Sequence, residues 1–465
     1  MVKLTKSGSF VQPGSNRPTL GRPTALLLYP PIYDFALYDL FLKPYALLRL
    51  AAWLSRSGYC VRLVNGMDFT DPHSIAVLGR PRREARGTGK FFRQIVPAPP
   101  PVAVLQRSYA RYGIVAESLE RRIAAERPDI VFVSAGMTYW YPGVMEAIRM
   151  VRKIFPKVPV VLGGIYPTLC PGHATAHSEA DAVIAGPAFP RLNDILRQRS
   201  LPTGEPPVDE ELLLLPEANW QAGVLRLNRG CPLDCAYCSS KVVEPRFLPG
   251  KPDLLFETVR EMHRRFATRS FAFYDDALLV NKERAFLPFL ERISRSNLSV
   301  AFYLPNAVHL RYLDRACALS MKRARFAEVR VGFESAGLEF HTTLDNKLVT
   351  AMLADGLEHL LQAGFAPQSI TAYVLAGMPG QDAGEVELSI RHAASYGIRV
   401  QLAEYAPTPG SALWSQAVRD SPFALEEEPL THNNSILPMR WRGFSLEDLD
   451  RLKALSRTLG GRTAV

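Results

Sequence analysis

The sequence predicts two α/β domains in series: a doubly wound (Rossmann-like) domain, then a partial TIM-type (β/α)6 barrel. Three observations predict this. At 465 residues the chain exceeds what one ordinary hydrophobic core supports. Short apolar segments alternate with amphipathic helical segments in both halves, which is typical of parallel sheets. A Pro-containing stretch at 197–222 separates the halves and is predicted to be a linker.

The first domain is predicted at 24–196, after an N-terminal tail at 1–23. Its strands are expected at 25–29, 60–64, 130–133, 158–162 and 182–184. Ligands of doubly wound sheets bind beyond the carboxyl ends of the strands, where Ser134 and the pair Gly163-Gly164 follow two of them. A glycine pair there allows close approach of a ligand or simply makes a tight turn. The local sequence leaves both interpretations open.

The segment 70–104 breaks the strand–helix alternation and is predicted to be an insertion. It contains much of the excess behind the formal net charge of +10, in the residues Arg80, Arg82, Arg83, Arg86, Lys90 and Arg93. We interpret this run as a solvated loop, with a patch for nucleic acid or anionic lipid as the alternative. No RNA-binding module accompanies it, so nucleic-acid binding is not expected.

The second domain is predicted at 223–414 and is followed by a C-terminal helical extension at 415–465. Its strands are expected at 224–227, 270–274, 300–304, 328–333, 370–375 and 398–404. Six strand–helix units in sequence favour a partial barrel over a second open sheet. Barrels of this type carry their chemistry at the carboxyl ends of the strands, and the notable motifs of this half all fall there.

Three cysteines follow the first of these strands: Cys231, Cys235 and Cys238, with three and then two residues between them. Thiolates are the soft ligands that iron–sulfur clusters prefer. Three of them would leave the fourth iron of a cubane open to a substrate. A zinc site is the alternative, but it needs a fourth donor, and the next Cys or His is His263, outside the usual spacing.

This cysteine loop, preceded by Asn228-Arg-Gly and with Tyr237 just before its last cysteine, resembles the signature of the radical S-adenosylmethionine (SAM) superfamily. The resemblance implies a 4Fe-4S cluster whose open iron binds SAM and whose reduction cleaves SAM to a 5′-deoxyadenosyl radical. Further matches run in order along the barrel, from about 224 to 414.

The same resemblance implies contacts to SAM at the ends of successive strands. The residues expected to make them are Tyr237, Asp275, Asp276, Glu334, Ser335, Gly377 and Pro379. Each has a structural alternative that the sequence leaves open: loop packing for the tyrosine, a helix cap or salt bridge for the acids, and a plain turn for Gly377 to Gly380.

The first domain resembles the cobalamin-binding domain of the cobalamin-dependent radical SAM class. The matching positions for cobalamin are Ser134, Gly163, Gly164 and Tyr166, with Tyr29-Pro-Pro31 and Gly186 at neighbouring strand ends. The chain departs from many cobalamin proteins because it lacks the motif Asp-x-His-x-x-Gly. That absence implies that no protein imidazole ligates cobalt, and leaves open a remnant domain without cofactor.

These features predict a radical SAM enzyme that uses cobalamin, with methyl transfer to an unactivated carbon as the leading reaction. One alternative is a cobalamin-independent rearrangement, cyclisation or methylthiolation with a vestigial first domain; another is a non-catalytic iron–sulfur or RNA-binding protein. The substrate (small molecule, lipid or peptide) is not predicted. An external electron donor such as flavodoxin or ferredoxin is expected. With no apolar signal segment and no transmembrane-length stretch, a cytoplasmic location is predicted.

Overall fold

A computed structural model describes residues 21–460 apart from 104, 106, 208–209, 338–339, 342–343, 345–349 and 441–442. The predicted N-terminal tail therefore lies, up to residue 20, outside the described residues. None of the helices in the described part of the chain has the length and hydrophobicity that a bilayer span requires.

The first domain is a five-stranded parallel sheet with helices on both faces and a small antiparallel sheet beside it. Its strands are β1 (Thr24–Tyr29), β2 (Ile32–Asp34), β3 (Cys60–Asn65), β4 (Arg93–Val96), β5 (Tyr109–Tyr112), β6 (Ile130–Ala135), β7 (Val160–Gly164) and β8 (Ala182–Val183). Its helices are α1 (Tyr45–Arg56), α2 (Pro72–Leu78), α3 (Ala116–Ala124), α4 (Tyr141–Ile154), α5 (Ile165–Leu169), α6 (Pro171–His177) and α7 (Ala188–Gln198). The large sheet has the order β3-β1-β6-β7-β8, so the predicted doubly wound topology is confirmed.

The core of this domain explains the apolar runs in the sequence. In β1 the residues from Ala25 to Leu28 are all fully buried, because helices cover both faces of the sheet. The order places a topological switch point between β1 and β6, where the chain leaves β1 toward one side and β6 lies on the other. The carboxyl ends of β1, β6 and β7 therefore form the edge at which a ligand is expected.

The second domain is a partial barrel of parallel strands. Its strands are β9 (Ala222–Leu225), β10 (Ser270–Phe273), β11 (Ala301–Tyr303), β12 (Val308–His309), β13 (Val329–Glu334), β14 (Ile370–Ala376) and β15 (Arg399–Glu404). Its helices are α8 (Ser240–Val243), α9 (Pro252–Phe266), α10 (Phe286–Arg295), α11 (Arg315–Arg323), α12 (Thr350–Gln362) and α13 (Ala383–Ala394). The six predicted strands are confirmed, and the short β12 adds to them by pairing with β13.

The alternation of side chains along β10 distinguishes the outer face of the barrel, which the helices cover, from its inner face. Phe271 and Phe273 pack against phenylalanines of the neighbouring strand and of α10. Because side chains alternate along a strand, Ala272 points to the opposite, inner face. There it packs with Ala222 and Val224 against Phe41, which belongs to the first domain. A segment of the first domain thus fills part of the barrel interior.

The basic segment 70–104 is only partly the predicted solvated loop. Arg80, Arg82, Lys90 and Arg93 are exposed as expected, but the segment contains α2 and β4, and two of its arginines have partners elsewhere in the chain. Arg83 forms an ion pair of 2.7 Å with Asp39, which is fully buried. Arg86 pairs with Glu328 at 2.5 Å, just before β13. A Cβ atom at Gly87 would lie only 2.8 Å from that of Ala222 in β9, so the segment packs directly against the barrel.

The C-terminal extension connects the two domains. It begins with α14 (Trp414–Asp420) and ends with α15 (Leu446–Leu459), which packs on β15 and α13. Between these helices, Asn433 donates to Asp34 at the end of β2 (2.9 Å). His432 is buried and bonds to Thr138, in the turn after β6, and to the carbonyl of Leu425. The extension therefore covers part of the sheet edge of the first domain.

Candidate functional site

The cysteine loop leaves the carboxyl end of β9 through a tight turn. Gly230 has φ = 70°, and a Cβ atom there would lie 2.5 Å from the carbonyl oxygen of Arg246, so only glycine fits. Cys231 and Cys235 are half-buried and Cys238 is exposed. Burial raises the pKa of Cys231 to about 11, and the other two thiols add to that rise because they lie within electrostatic range.

The three cysteines lie on one loop, and their thiols are within electrostatic range of one another. Among the described residues, no three His, Cys, Asp or Glu side chains converge tightly enough to ligate one metal ion. The sulfur atoms that bind a 4Fe-4S cluster need not converge on one point, since each thiolate binds a different iron atom. The backbone N–H of Ser240 also donates to Cys238 Sγ (3.4 Å). The predicted cluster ligands are thus on one accessible loop.

Asp275, predicted to contact SAM, has another set of partners. Its side chain is buried, and its two carboxylate oxygens accept hydrogen bonds from the backbone N–H groups of Leu227 (2.9 Å) and Asn228 (2.6 Å). These are the residues that lead from β9 into the cysteine loop. Burial raises the pKa of Asp275 to about 7, and the two backbone donors oppose that rise. The structure therefore assigns Asp275 to positioning the cluster loop.

Asp276 has the opposite character, because it is exposed and faces the cysteine loop. Its charge acts on the Cys231 thiol, and its side chain bonds to Ser240. The surrounding protein raises the pKa of Asp276, while the guanidinium of Arg226 lowers it. Of the two adjacent acids, Asp276 is the one placed to bind a polar ligand beside the cluster.

A buried network of charges holds the same loop from behind. Arg229 contacts Glu210 (3.1 Å) and Glu244 (3.2 Å), and Arg226 contacts Glu244 (3.3 Å). Arg49 of α1 contacts Glu210 at 3.1 Å. All five side chains are at most 19% exposed. The network joins the first domain, the linker and the cluster loop.

Glu334 and Ser335 lie at the end of β13. The strand register shifts between Gly332 and Glu334, and Glu334 has φ = 66°, a conformation that is rare for residues other than glycine. The carboxylate turns back over Gly332, where a Cβ atom would lie 2.8 Å from Oε1. Ser335 is buried, and its carbonyl accepts a hydrogen bond from His341 (2.7 Å). The contacts of both residues with SAM stay predictions.

The turn after β14 is built by its own side chains. Gln381 accepts from the N–H of Gly377 (2.8 Å) and donates to the carbonyl of Leu375 (3.1 Å). Gly377 has φ = 83°, and Leu437 of the C-terminal extension covers it so closely that a Cβ atom would lie 2.6 Å away. Pro379 is half-buried in the same turn. The extension therefore closes one side of the turn that is predicted to contact SAM.

Tyr237 is partly buried in an apolar cluster below this turn. Its ring centroid lies 6.3 Å from that of Phe340, and the cluster includes Met378 and Tyr405. The backbone on its N-terminal side is held too, since Leu413 donates to the carbonyl of Ala236 (2.9 Å). The geometry supports the packing role of Tyr237 that the sequence left open. Its contact with SAM stays a prediction.

The sheet edge of the first domain has open space at the ends of β7 and β8, beside Gly163 and Gly186, and this space is called the groove below. A Cβ atom at Gly163 or Gly186 would meet nothing within 4 Å, so these positions border open space. Gly164 is different, because it has φ = 104° and a Cβ atom would lie 2.4 Å from the carbonyl oxygen of Ala135. Thr168 ties the strand ends together by donating to Gly164 (2.7 Å) and accepting from Gly186 (3.0 Å).

Ser134 and Tyr166, the other residues predicted to bind cobalamin, differ from one another. Ser134 is half-buried beside Gly164 and borders the groove. Tyr166 is fully buried, stacks on Tyr141, and bonds through its hydroxyl to His173 (2.7 Å). The structure therefore gives Tyr166 a packing role in place of the predicted contact. The open space beside Gly163 and Gly186 leaves room for part of a ligand at this edge.

Comparison with known proteins agrees with both sites. Residues 104–194 match the family model of the B12 binding domain, and residues 225–393 match that of the radical SAM superfamily. The chain belongs to the radical SAM superfamily, in the class that carries a B12-binding domain. The two domains account for the expected cofactors, which are a 4Fe-4S cluster with SAM in the barrel and cobalamin in the first domain.

Three similar proteins place this radical SAM enzyme among its relatives. The uncharacterized methyltransferase PH0819 of Pyrococcus horikoshii is 25% identical over 356 residues, which cover 69% of this chain and 73% of that protein. The methyltransferase TsrM of Kitasatospora setae, solved with tryptophan and a SAM analogue, has a TM-score of 0.64 at 13% identity and covers 85% of this chain and 76% of its own. The cobalamin-dependent enzyme OxsB has a TM-score of 0.59 at 10% identity. The match covers 91% of this chain and 57% of the OxsB chain. At these identities the solved structures show the fold alone.

Sequence reasoning missed the residues that support the cluster loop. Asn228 is buried and donates to the carbonyl of Leu278 (3.2 Å), and Arg226 and Arg229 join the charge network. One signal in the sequence could have indicated them. Polar and charged side chains that directly follow a buried strand need partners in the folded protein. The identity of those partners, Glu210 among them, was not readable from local sequence.

Proposed function

We propose that this radical SAM enzyme transfers a methyl group to an unactivated carbon with the help of cobalamin. One observation carries the proposal: α5, which follows the glycine pair at the cobalamin groove, packs against α8, which follows Cys238. The groove of the B12-binding domain and the cluster loop are thus adjacent. Adjacency is what a reaction that uses both cofactors on one substrate requires.

The chemistry divides between cofactors and protein. When bound, the cluster and SAM supply a carbon-centred radical and cobalamin supplies a transferable methyl group. The chain's own residues position the cofactors and exclude water. Asp275 fixes the strand that presents the cysteines, Asp276 lies near the Cys231 thiol, and Leu437 closes the turn at Gly377.

Substrate and partners belong to the same proposal. The name of the Pyrococcus relative supports methyl transfer, while the substrate class stays undefined between small molecule, lipid and peptide. A radical SAM enzyme needs a reductant, and we propose an external flavodoxin or ferredoxin for this role. A cytoplasmic location remains a prediction from the cysteine usage, because thiolate clusters persist in reducing compartments.

The test is anaerobic purification with hydroxocobalamin present, followed by absorbance spectra and iron and cobalt analysis. We expect about four iron atoms per chain and about one cobalt. The matched control replaces Cys231, Cys235 and Cys238 together by alanine, which should remove iron and leave cobalt in place.

The outcomes separate the parts of the proposal. Iron and cobalt together, with SAM cleaved to 5′-deoxyadenosine under reducing conditions, support it and justify a search for methylated products. Iron without cobalt would refute the cobalamin-dependent reaction and favour a rearrangement or cyclisation. Iron retained by the triple variant would refute the assignment of the cluster ligands.

A further inference from the structure

Lys43 is a buried lysine whose ammonium has no partner among the described residues. Its side chain is only 6% exposed, yet no hydrogen bond, ion pair or aromatic ring holds Nζ. Burial lowers the pKa of Lys43, partly offset by the nearby charge of Asp39. Nζ keeps some contact with solvent, but a lysine buried to this extent normally has an anion beside it.

The nearest carboxylate is already engaged. Asp39 accepts from the guanidinium of Arg83 (2.7 Å) and from the backbone N–H of Leu42 (2.6 Å). Asp39 and Arg83 neutralise one another, and Arg83 also repels Lys43. The positive charge of Lys43 is therefore left over in this part of the interface.

Lys43 directly precedes the start of α1, a helix of 12 residues. The N-cap of α1 is Pro44, which offers no side chain to cap it, and its first turn has no acidic residue. The described residues supply no acceptor for the backbone N–H groups of Ala46 and Leu47, and Ala46 is exposed. An uncapped helix start carries a partial positive charge and free N–H donors, which bind anions.

The loop that carries Lys43 is held in a strained shape between the two domains. Phe41 has φ = 67°, which is unusual for a bulky residue. The hydroxyl of Tyr274, at the end of β10, accepts from the N–H of Lys43 (3.0 Å) and donates to the carbonyl of Phe41. Strain of this kind persists where the surroundings enforce it, and it often marks a functional site.

We propose that Lys43 and the N-terminus of α1 bind a group with a single negative charge at the interface of the two domains. The ligand class rests on the proposed function: a carboxylate of the substrate or the phosphodiester of cobalamin. One ammonium balances one charge, which excludes a polyphosphate. Phe41 and Tyr45, which lie two residues before and after Lys43, belong to an apolar and aromatic cluster with Tyr274 and Tyr303. A ligand with an apolar or aromatic body is therefore expected.

The test uses the full chain with its cluster reconstituted and compares Lys43→Met with the wild type. Lys282→Met is the matched control, because Lys282 is also largely buried (10% exposed) but pairs with Asp314 at 3.0 Å. Without ligand, Lys43→Met should raise the midpoint of thermal unfolding, since it removes an unpaired buried charge, while Lys282→Met should lower it.

Binding is then measured with four probes. Hydroxocobalamin carries the phosphodiester and dicyanocobinamide lacks it; benzoate carries a carboxylate and benzamide is its neutral analogue. If the phosphodiester is the ligand, Lys43→Met weakens hydroxocobalamin binding by about tenfold or more and leaves cobinamide unchanged. If a carboxylate is the ligand, the loss falls on benzoate and benzamide is unaffected. Lys43→Arg should retain part of the affinity in either case.

Three results would overturn the proposal. One is unchanged binding of all four probes by Lys43→Met, and another is an equal loss for charged and neutral probes. The third is a wild type that binds neither hydroxocobalamin nor benzoate. A wild type that binds benzoate but no corrinoid would refute the cobalamin-dependent function, and the benzoate arm would then decide the anion site by itself.

Discussion

Arg49 on the first helix of the B12-binding domain lies 3.1 Å from Glu210 in the linker, measured from Nε to Oε2. The other oxygen of Glu210 lies 3.1 Å from Nε of Arg229, two residues before the first cluster cysteine. Tyr45 donates to Glu210 as well (3.0 Å). One buried carboxylate therefore links the helix at the cobalamin side to the loop that carries the cluster.

We predict that Arg49→Met destabilises the protein and loosens the cluster loop. The substitution removes one positive charge from a largely buried network and leaves Glu210 with only Arg229 and Tyr45 as partners, at a cost of about 1–3 kcal/mol. The expected results are a lower midpoint of thermal unfolding and faster loss of iron to a chelator. Arg197→Met is the control, because Arg197 is 67% exposed and its pair with Asp194 contributes little. Equal iron loss in both variants would contradict the prediction.

Asp275 should make stability depend on pH between about 5 and 8. Its pKa is raised to about 7 in the folded protein, above the value near 4 of an unfolded aspartate. In that window the folded state binds more protons than the unfolded state, so the contribution of Asp275 is present at low pH and is lost as pH rises through 7.

The measurement compares Asp275→Asn with the wild type across this pH range. Other groups titrate equally in both proteins, so the difference between their thermal midpoints isolates Asp275. We expect the asparagine variant, which cannot titrate, to lose less stability than the wild type between pH 5 and pH 8. A difference that stays constant with pH would show that Asp275 does not titrate in this range.

Gly250 supports the cluster loop from the other side. A Cβ atom there would lie 1.8 Å from the carbonyl oxygen of Leu227, a backbone atom that cannot move without shifting β9 and the loop after it. We predict that Gly250→Ala reduces the iron content of the reconstituted protein. It should also lower the free energy of unfolding by about 1–3 kcal/mol. At Gly172 on α6 a Cβ atom meets nothing within 4 Å, so Gly172→Ala should keep its iron and its stability. Full iron content in Gly250→Ala would mean that the loop tolerates the shift.

Local patterns predicted the elements and the cluster ligands. The strand β1 was predictable because a run of four apolar residues, all buried in the structure, is typical of a strand in a parallel sheet. The cysteines were predictable because their spacing is typical of a cluster-binding loop. The two roles of Asp275 and Asp276 were not separable in this way. Both acids follow the same strand, and only the position of the backbone of Leu227 and Asn228 shows which one is buried.

The interface between the domains lay beyond local sequence for a physical reason. Arg49 and Glu210 are 161 positions apart, and Arg86 and Glu328 are 242 apart. A basic run looks the same in sequence whether it lies in solvent or against a barrel, so the sequence did not show that Arg83 and Arg86, unlike their exposed neighbours, have distant partners. Lys43 escaped notice likewise, because burial without a partner is visible only once the surrounding elements are in place.

Gly163 allows cofactor binding to be separated from folding. A Cβ atom at this position meets nothing within 4 Å and the backbone needs no positive φ, so Gly163→Val should fold with nearly unchanged thermal stability. Its side chain would project into the groove at the ends of β7 and β8. If cobalamin lies there, its affinity should fall by about tenfold or more, because overpacking a formed site costs about 1–3 kcal/mol.

The neighbouring glycine provides the contrast. At Gly164 a side chain would meet the carbonyl oxygen of Ala135 at 2.4 Å with φ = 104°, so Gly164→Val should lose stability as well as cobalamin. Absorbance titration with hydroxocobalamin and thermal unfolding of both variants check the pair. Wild-type cobalamin affinity in a folded Gly163→Val protein would place the cofactor elsewhere on the domain. Loss of affinity in that variant, with its stability intact, would locate cobalamin in this groove, because no other property of the site has been altered.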